Sequence, residues 1–141
     1  MKKIIIIGLV LLAALSVLAG GCIFGPDDGC IRGRVSKGFY PIQGYEPCMG
    51  KIYAVTQPSI KSSQFPTGGQ PIEKGDQDYS ITVDGNGTYF VCWVVDIDKD
   101  GRLNSEGDLI LWYITDSRRP APVYVKSGNI VYDINLIIQW R

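Results

Sequence analysis

Apolar and polar positions alternate in short stretches through most of the chain. Residues 30–35 place aliphatic side chains on one face and arginines on the other, which predicts a half-buried strand. Residues 51–56 and 79–83 are rich in β-branched and aromatic side chains, which favour strands. Residues 57–78 are polar, with three prolines and three glycines. We expect a long loop there, with a short strand near residues 71–72.

The stretch from Thr88 to Val95 is apolar at nearly every position. A strand with this pattern is typical of the middle of a sheet, with both of its faces covered. It follows Asp84-Gly-Asn-Gly87, in which the Asn-Gly pair tolerates the positive φ that tight hairpin turns require. We therefore expect residues 79–83 and 88–95 to form a β-hairpin.

Three further strands are predicted towards the C-terminus. Residues 109–115 form one, and residues 122–126 and 130–138, joined by Ser127-Gly-Asn129, predict a last hairpin. No stretch after the N-terminal segment shows the 3.6-residue apolar period of an amphipathic helix. The pattern predicts an all-β fold, a single antiparallel β-sandwich of about seven strands.

The first residues have the three parts of a secretory signal peptide, predicted at residues 1–21. Met1-Lys-Lys is basic, the following run is apolar, and small residues precede Cys22. Leu18-Ala-Gly-Gly-Cys22 resembles a lipoprotein lipobox. This resemblance implies that Cys22 becomes the lipidated N-terminus and anchors the protein to the membrane.

Two other fates of this segment stay open. Cleavage after Ala19 would leave Cys22 in a secreted protein, and an uncleaved segment would itself be the anchor. All three fates place the domain outside the cytoplasm. We expect a lipid-anchored protein at the cell membrane, with residues 22–29 as a tether and residues 30–141 as the β-sandwich domain.

The charge balance argues against nucleic-acid binding. The chain has 14 basic and 14 acidic side chains, and residues 1–21 carry two lysines and no acid. The exported chain therefore has a net charge of −2, whereas nucleic-acid binding needs a basic surface. The partners we expect are the membrane, through the lipid anchor, and a surface protein or glycan.

The cysteines of an exported chain indicate a structural disulfide. If Cys22 is lipidated, one bond is expected among Cys30, Cys48 and Cys92. An antiparallel pairing of residues 50–56 with 88–95 favours Cys48–Cys92, with Cys30–Cys48 as the alternative. If Cys22 is not lipidated, four cysteines allow three ways of forming two bonds.

An acidic loop follows the central strand and is the main candidate for specific chemistry. Its acids at positions 1, 3 and 5, followed by Gly101 at position 6, match the first half of an EF-hand-type calcium loop. Position 12, where such a loop has an acid, is Gly107, with Glu106 and Asp108 beside it. The predicted Ca²⁺ ligands are Asp96, Asp98, Asp100, the backbone carbonyl of Arg102, Asn104 and Asp108, with Glu106 as the alternative last ligand. The competing interpretation is an acidic turn whose carboxylates accept hydrogen bonds from their own backbone.

Several short motifs resemble the transthyretin-like sandwiches, which include carboxypeptidase-regulatory-like and collagen-adhesin B-type domains. They are Gly-x-Ile-x-Ala-x-Thr at residues 50–56, Gly-x-Tyr at 87–89, and Pro-Val-x-Val-x-x-Gly-x-x-x-x-Asp-Ile-x-Leu at 122–136. Together with the first strand, the resemblance spans residues 30–138. It implies a transthyretin-like or Ig-like sandwich that carries an acidic loop after the Gly-x-Tyr strand.

The chemistry of the chain favours a non-enzymatic protein. The chain has no histidine, the usual general base for a serine or cysteine nucleophile and the commonest zinc ligand. We expect a calcium-stabilised structural or interaction module at the cell surface. The alternatives are a carbohydrate- or peptide-binding module and a small exported hydrolase. A binding module would use the 57–78 loop or the aromatic residues, Trp93, Trp112, Tyr113 and Trp140.

Overall fold

The computed structural model describes residues 25–36, 50–59, 69–73, 76–103, 107–116 and 118–137. These residues form nine β-strands and no helix, which confirms the all-β class and corrects the expected number of about seven. The strands are β1 (Asp28–Ser36), β2 (Gly50–Val55), β3 (Gln70–Ile72), β4 (Gln77–Asp84), β5 (Gly87–Val95), β6 (Leu109–Trp112), β7 (Val123–Val125), β8 (Ile130–Val131) and β9 (Leu136–Ile137). β3 lies where a short strand was expected in the long loop.

The N-terminal predictions fall almost wholly outside this part of the chain. The signal segment at residues 1–21 and Cys22 are not among the described residues. β1 begins at Asp28, within the predicted tether. Across the ranges described, no helix has the length and apolar character needed to span a membrane.

The strands form two sheets. In the first, β1 lies between β4, which is antiparallel to it, and β8, which is parallel, and β9 also pairs with β1 in parallel. In the second, the order is β3-β2-β5-β6, with β7 also pairing with β5, and every pair is antiparallel. The expectation of purely antiparallel pairing is therefore wrong for the first sheet.

One apolar core takes side chains from both sheets. Ile31 and Val35 of β1 and Ile52 and Trp93 of the second sheet are all 0% exposed and belong to the same cluster. Ile31 and Val35 are the aliphatic face that the alternation of β1 predicted. Each sheet covers the apolar face of the other. This burial stabilises the fold by about 25 cal/mol for each Å² of apolar surface removed from water.

A second apolar cluster lies on the opposite face of the second sheet. Tyr53, Cys92 and Val94 are buried there, with Leu103 and Trp112 packed against them. Since Trp93 lies in the main core and its neighbours Cys92 and Val94 lie in this cluster, β5 is covered on both faces. This confirms the prediction from its unbroken apolar sequence.

The first predicted hairpin is wrong. β4 pairs with β1 in the first sheet, whereas β5 pairs with β2, β6 and β7 in the second. The turn between them has the expected positive φ at Asn86, 56°, but not at Gly87. Its Gly85 N–H donates to the carbonyl of Asp27 at 2.8 Å, and the Asn86 amide donates to the Ser127 hydroxyl at 2.8 Å. The turn therefore carries the chain from one sheet to the other.

The predicted last hairpin is wrong for the same reason. The turn at residues 126–129 is present, with Gly128 at a φ of 74° and the Asn129 N–H donating to the Lys126 carbonyl at 3.0 Å. However, β7 before it joins β5 in the second sheet, and β8 and β9 after it join β1 in the first. Asp133, at a φ of 64°, lies between β8 and β9.

The favoured disulfide is also corrected. Cys92 is a free, buried cysteine in the second cluster, whereas Cys30 is disulfide-bonded. The Cys48–Cys92 pairing is therefore wrong, because the Cys92 side chain is enclosed among the apolar residues on its face of the second sheet. Cys48 lies outside the described residues, so the alternative pairing Cys30–Cys48 stays a prediction.

Candidate metal centre

The acidic loop connects two neighbouring strands. Val95, the last residue of β5, pairs with Leu109, the first residue of β6, in an antiparallel ladder. Asp96 directly follows Val95 in the chain, and Asp108 directly precedes Leu109. The backbone N–H of Ile97 donates to Oδ1 of Asp108 at 3.1 Å, which closes the base of the loop.

Three carboxylates of this loop converge. Asp96, Asp98 and Asp108 each offer an oxygen, and these oxygens lie within 4.8 Å of one another. Carboxylates at such distances repel each other, and the repulsion grows where protein replaces water around them. A divalent cation coordinated by the three oxygens would remove this repulsion.

The two oxygens of Asp96 differ in their hydrogen bonding. Its Oδ2 accepts the N–H of Gly101 at 3.0 Å, whereas its Oδ1 is buried and accepts no hydrogen bond from the described residues. A buried polar atom that is left unpaired costs about 1–3 kcal/mol, and more when it carries charge. A cation bound at the group of three would supply the missing partner.

The loop backbone is shaped around Asp98. Lys99 and Gly101 have φ values of 60° and 78°, which turn the chain sharply after Asp98. Gly107 has a φ of 95°, and a Cβ built on it would lie 2.6 Å from Oδ2 of Asp98. Glycine at position 12 therefore suits both the backbone conformation and the close approach of Asp98, and the next residue, Asp108, brings the acid into the group.

The structure does not place the remaining predicted ligands in the group of three carboxylates. Asp100 is not in the group, and its Oδ1 accepts the N–H of Arg102 at 2.7 Å. This contact is the one that the acidic-turn interpretation predicts. Oδ1 of Asp98 makes the same kind of contact, with the N–H of Asp100 at 3.1 Å, so the acidic turn is present alongside the group of three carboxylates. Asn104 and Glu106 lie outside the described residues. The Arg102 carbonyl stays a predicted ligand.

Two apolar side chains without a predicted role hold the loop in place. Ile97 packs against the main core, and Leu103 packs against the second cluster. Ile97 lies between the two acids Asp96 and Asp98 in sequence. An apolar residue between alternating acids was the available signal that the loop is packed against the sheets rather than free in solvent.

The chemistry of the group suits a hard cation. Its three members offer only carboxylate oxygens, and calcium takes six to eight oxygen ligands, which proteins complete with backbone carbonyls and water. The chain contains no histidine, so a zinc site that depends on imidazole is excluded.

The aromatic residues proposed for carbohydrate binding do not form one surface as far as the structure describes them. Trp93 is 0% exposed in the main core and cannot contact a ligand. Trp112 packs against the second cluster, Tyr113 packs against the main core, and Trp140 lies outside the described residues. Trp93, Trp112 and Tyr113, the members of the set that the structure describes, therefore do not form a shared platform.

The chain matches no protein-family model, and no curated protein or solved structure matches it either. The fold and the acidic loop are therefore interpreted from their own geometry, and the transthyretin-like resemblance stays a prediction.

Proposed function

We propose that this protein is a non-enzymatic, membrane-anchored lipoprotein outside the cytoplasm. Its domain is a calcium-stabilised β-sandwich of the transthyretin-like type, which acts as a structural or interaction module at the cell surface. The observation that carries the proposal is the convergence of the Asp96, Asp98 and Asp108 carboxylates at the joined ends of β5 and β6.

A structural role for the ion follows from where its ligands lie. Asp96 extends β5 and Asp108 precedes β6, so one ion would link the ends of two adjacent strands. Asp98 lies in the loop between them, which is packed through Ile97 and Leu103. The ion would then fix one end of the second sheet, and no part of this arrangement resembles the paired helices that a calcium sensor moves.

Calcium is favoured over magnesium by the ligands and by the compartment. A site built from several carboxylates in an irregular loop suits the larger ion, since magnesium needs near-ideal octahedral geometry and keeps several waters. Extracellular calcium modules bind at roughly 10⁻⁴ to 10⁻³ M. A site of that strength is occupied outside the cytoplasm, which matches the export signal.

The anchor is proposed from the sequence of the N-terminal segment. The lipobox-like Leu18-Ala-Gly-Gly-Cys22 would place a lipid on Cys22, a few residues before β1. Two features that the transthyretin-like resemblance implies support the proposed sandwich type. Two sheets enclose one core, and β5 continues from the Gly-x-Tyr motif at residues 87–89 into the acidic loop.

The test is metal content and stability of the full chain, extracted from membranes in detergent. We expect about one Ca²⁺ per chain after dialysis against millimolar calcium. Mass analysis of the N-terminus should find a lipidated Cys22. A chain that binds no calcium, or whose melting curve is the same in calcium and in chelator, would disprove the structural ion without bearing on the anchor.

A further inference from the structure

A polar groove on the first sheet has the features of a binding site. It has a volume of about 610 Å³ and lies on the face of β1 opposite the core. Its lining comes from β1, β3, β4 and the segment between β8 and β9, and includes Arg32, Gln70, Tyr132, Asp133 and Asn135. None of the three carboxylates of the proposed calcium site lines it.

The two guanidinium groups of the groove, Arg32 and Arg34, differ in their pairing among the described residues. Arg34 pairs with Asp78, with 2.8 Å between Nη1 and Oδ1, so these two charges neutralise each other. Within the ranges that the structure describes, Arg32 forms no ion pair, and its Nε is buried without an acceptor. Its guanidinium lies over the ring of Tyr132, 5.9 Å from the centroid. A buried donor without an acceptor is costly, and a carboxylate is the acceptor that suits the planar fork of arginine.

Two amides add further donors to the same groove. Oε1 of Gln70 accepts the N–H of Ser80 at 2.6 Å, and Oδ1 of Asn135 accepts the N–H of Arg34 at 2.9 Å. Because each amide oxygen is engaged by the backbone, the NH₂ group is the end that each side chain can offer to a ligand. The groove thus presents a guanidinium and two amide donors, which suits an anionic ligand rich in acceptors.

The other groups indicate which anion fits best. Tyr132 is 57% exposed, and an aromatic ring exposed beside hydrogen-bonding groups suits a sugar ring. Asp133 lines the groove and can accept hydrogen bonds from ligand hydroxyls. We propose that this groove binds a carboxylated sugar, with the carboxylate on Arg32 and the sugar ring beside Tyr132.

The test is titration of the full chain in detergent with D-glucuronate, followed by saturation-transfer NMR. The buffer contains a chelator, so that calcium in the acidic loop cannot attract the carboxylate. D-Glucose is the matched neutral probe. We expect glucuronate to bind and glucose to bind at least about tenfold more weakly, because a charge-assisted bidentate contact is lost.

Variants locate the site. Arg32→Gln should weaken glucuronate binding about tenfold or more. Arg32→Lys keeps the charge but loses the two parallel N–H donors of the guanidinium, so its affinity for glucuronate should lie between those of the unchanged chain and Arg32→Gln. Arg119→Gln is the control, since Arg119 is exposed and does not line the groove. Tyr132→Leu is a second variant at an exposed position and should also weaken binding.

Three results would overturn the proposal: no glucuronate binding, equal binding of glucose, or unchanged binding by a folded Arg32→Gln or Tyr132→Leu chain. None of these results depends on the calcium site, so the two proposals fail separately.

Discussion

The backbone N–H of Ile97 donates to the Asp108 carboxylate at 3.1 Å, so the start and the end of the acidic loop are joined by a direct hydrogen bond. This bond fixes the position of the Asp108 carboxylate at the base of the loop. With Ile97 packed on the main core, Asp108 is held beside Asp96 and Asp98 before any ion binds. The loop is therefore arranged in advance for ligation, which lowers the entropy that ion binding would otherwise cost.

Calcium should raise the melting temperature, and chelation should lower it. At a calcium concentration ten times the dissociation constant, binding adds about 1.4 kcal/mol to the free energy of unfolding. For a domain of this size, that corresponds to roughly 3 to 6 °C by differential scanning calorimetry. Asp98→Asn should abolish the difference between calcium and chelator. Asp116→Asn, an exposed acid outside the group, should retain it. Equal responses of the two variants would rule out the site.

Gly107→Ala should weaken calcium binding as well as stability. The new Cβ would lie 2.6 Å from Oδ2 of Asp98, and the φ of 95° is strained for alanine. We expect a loss of about 1–3 kcal/mol in the free energy of unfolding and weaker calcium binding by calorimetric titration. Gly128→Ala is the control, because it has a φ of 74° but no atom within 4 Å of the new Cβ. It should lose stability and bind calcium normally. If both variants bind calcium equally well, Asp98 is not a ligand.

The Cys92 thiol should make the protein less stable at alkaline pH. Burial raises its pKa from 9.0 to about 12, while the unfolded chain keeps the ordinary value. Below pH 9 the thiol is protonated in both the folded and the unfolded state, so its contribution to the free energy of unfolding is fully present. Between pH 9 and about 12 only the unfolded thiol ionises, so the free energy of unfolding falls by about 1.4 kcal/mol per pH unit from this group.

Urea denaturation from pH 8 to pH 10.5, which is roughly the range in which the unfolded thiol ionises, should show this decline. In Cys92→Ala the decline should begin at higher pH, where the tyrosines ionise. An identical pH profile in both chains would contradict the effect. The same burial predicts that iodoacetamide modifies Cys92 only in the unfolded chain.

Tyr79→Phe should destabilise the first sheet. The Tyr79 hydroxyl donates to the Ile134 carbonyl in the interior, which ties β4 to the segment between β8 and β9. Losing this bond leaves a buried carbonyl unpaired, so we expect a loss of about 1–2 kcal/mol in the free energy of unfolding by urea titration. Tyr124→Phe is the control, since Tyr124 is 72% exposed and should change stability little. Equal costs for the two variants would mean that the Tyr79 hydrogen bond contributes nothing.

Local features of this fold could be predicted from the sequence. The positive φ of Asn86 and Gly128 follows from turn chemistry, and the burial of both faces of β5 follows from its unbroken apolar sequence. The convergence of Asp96, Asp98 and Asp108 follows from a loop with acids at alternate positions that joins two adjacent strands. Each of these depends on residues close together in the chain.

The choice of sheet could not be predicted, because it depends on distant residues. The turn at Asn86 determines the backbone there, but it does not determine whether β5 pairs with β4 or with β2. The same holds at Gly128, where β8 leaves β7 and pairs with β1, about 100 residues earlier. β8 and β9 have only two residues each, too few for a pattern that would show their parallel pairing. The free state of Cys92 follows from which face of the second sheet it occupies.

The parallel pairing of β1 with β8 and β9 also determines how the domain responds to a force that pulls its two ends apart. Cys30 lies beside Ile130 and Ser36 lies beside Ile137, so the first strand and the last strands run in the same direction. A force applied between the start of β1 and the end of β9 acts along these strands in opposite senses. The hydrogen bonds between them are then loaded in shear and must break together, whereas an antiparallel pair held at one end would unzip bond by bond.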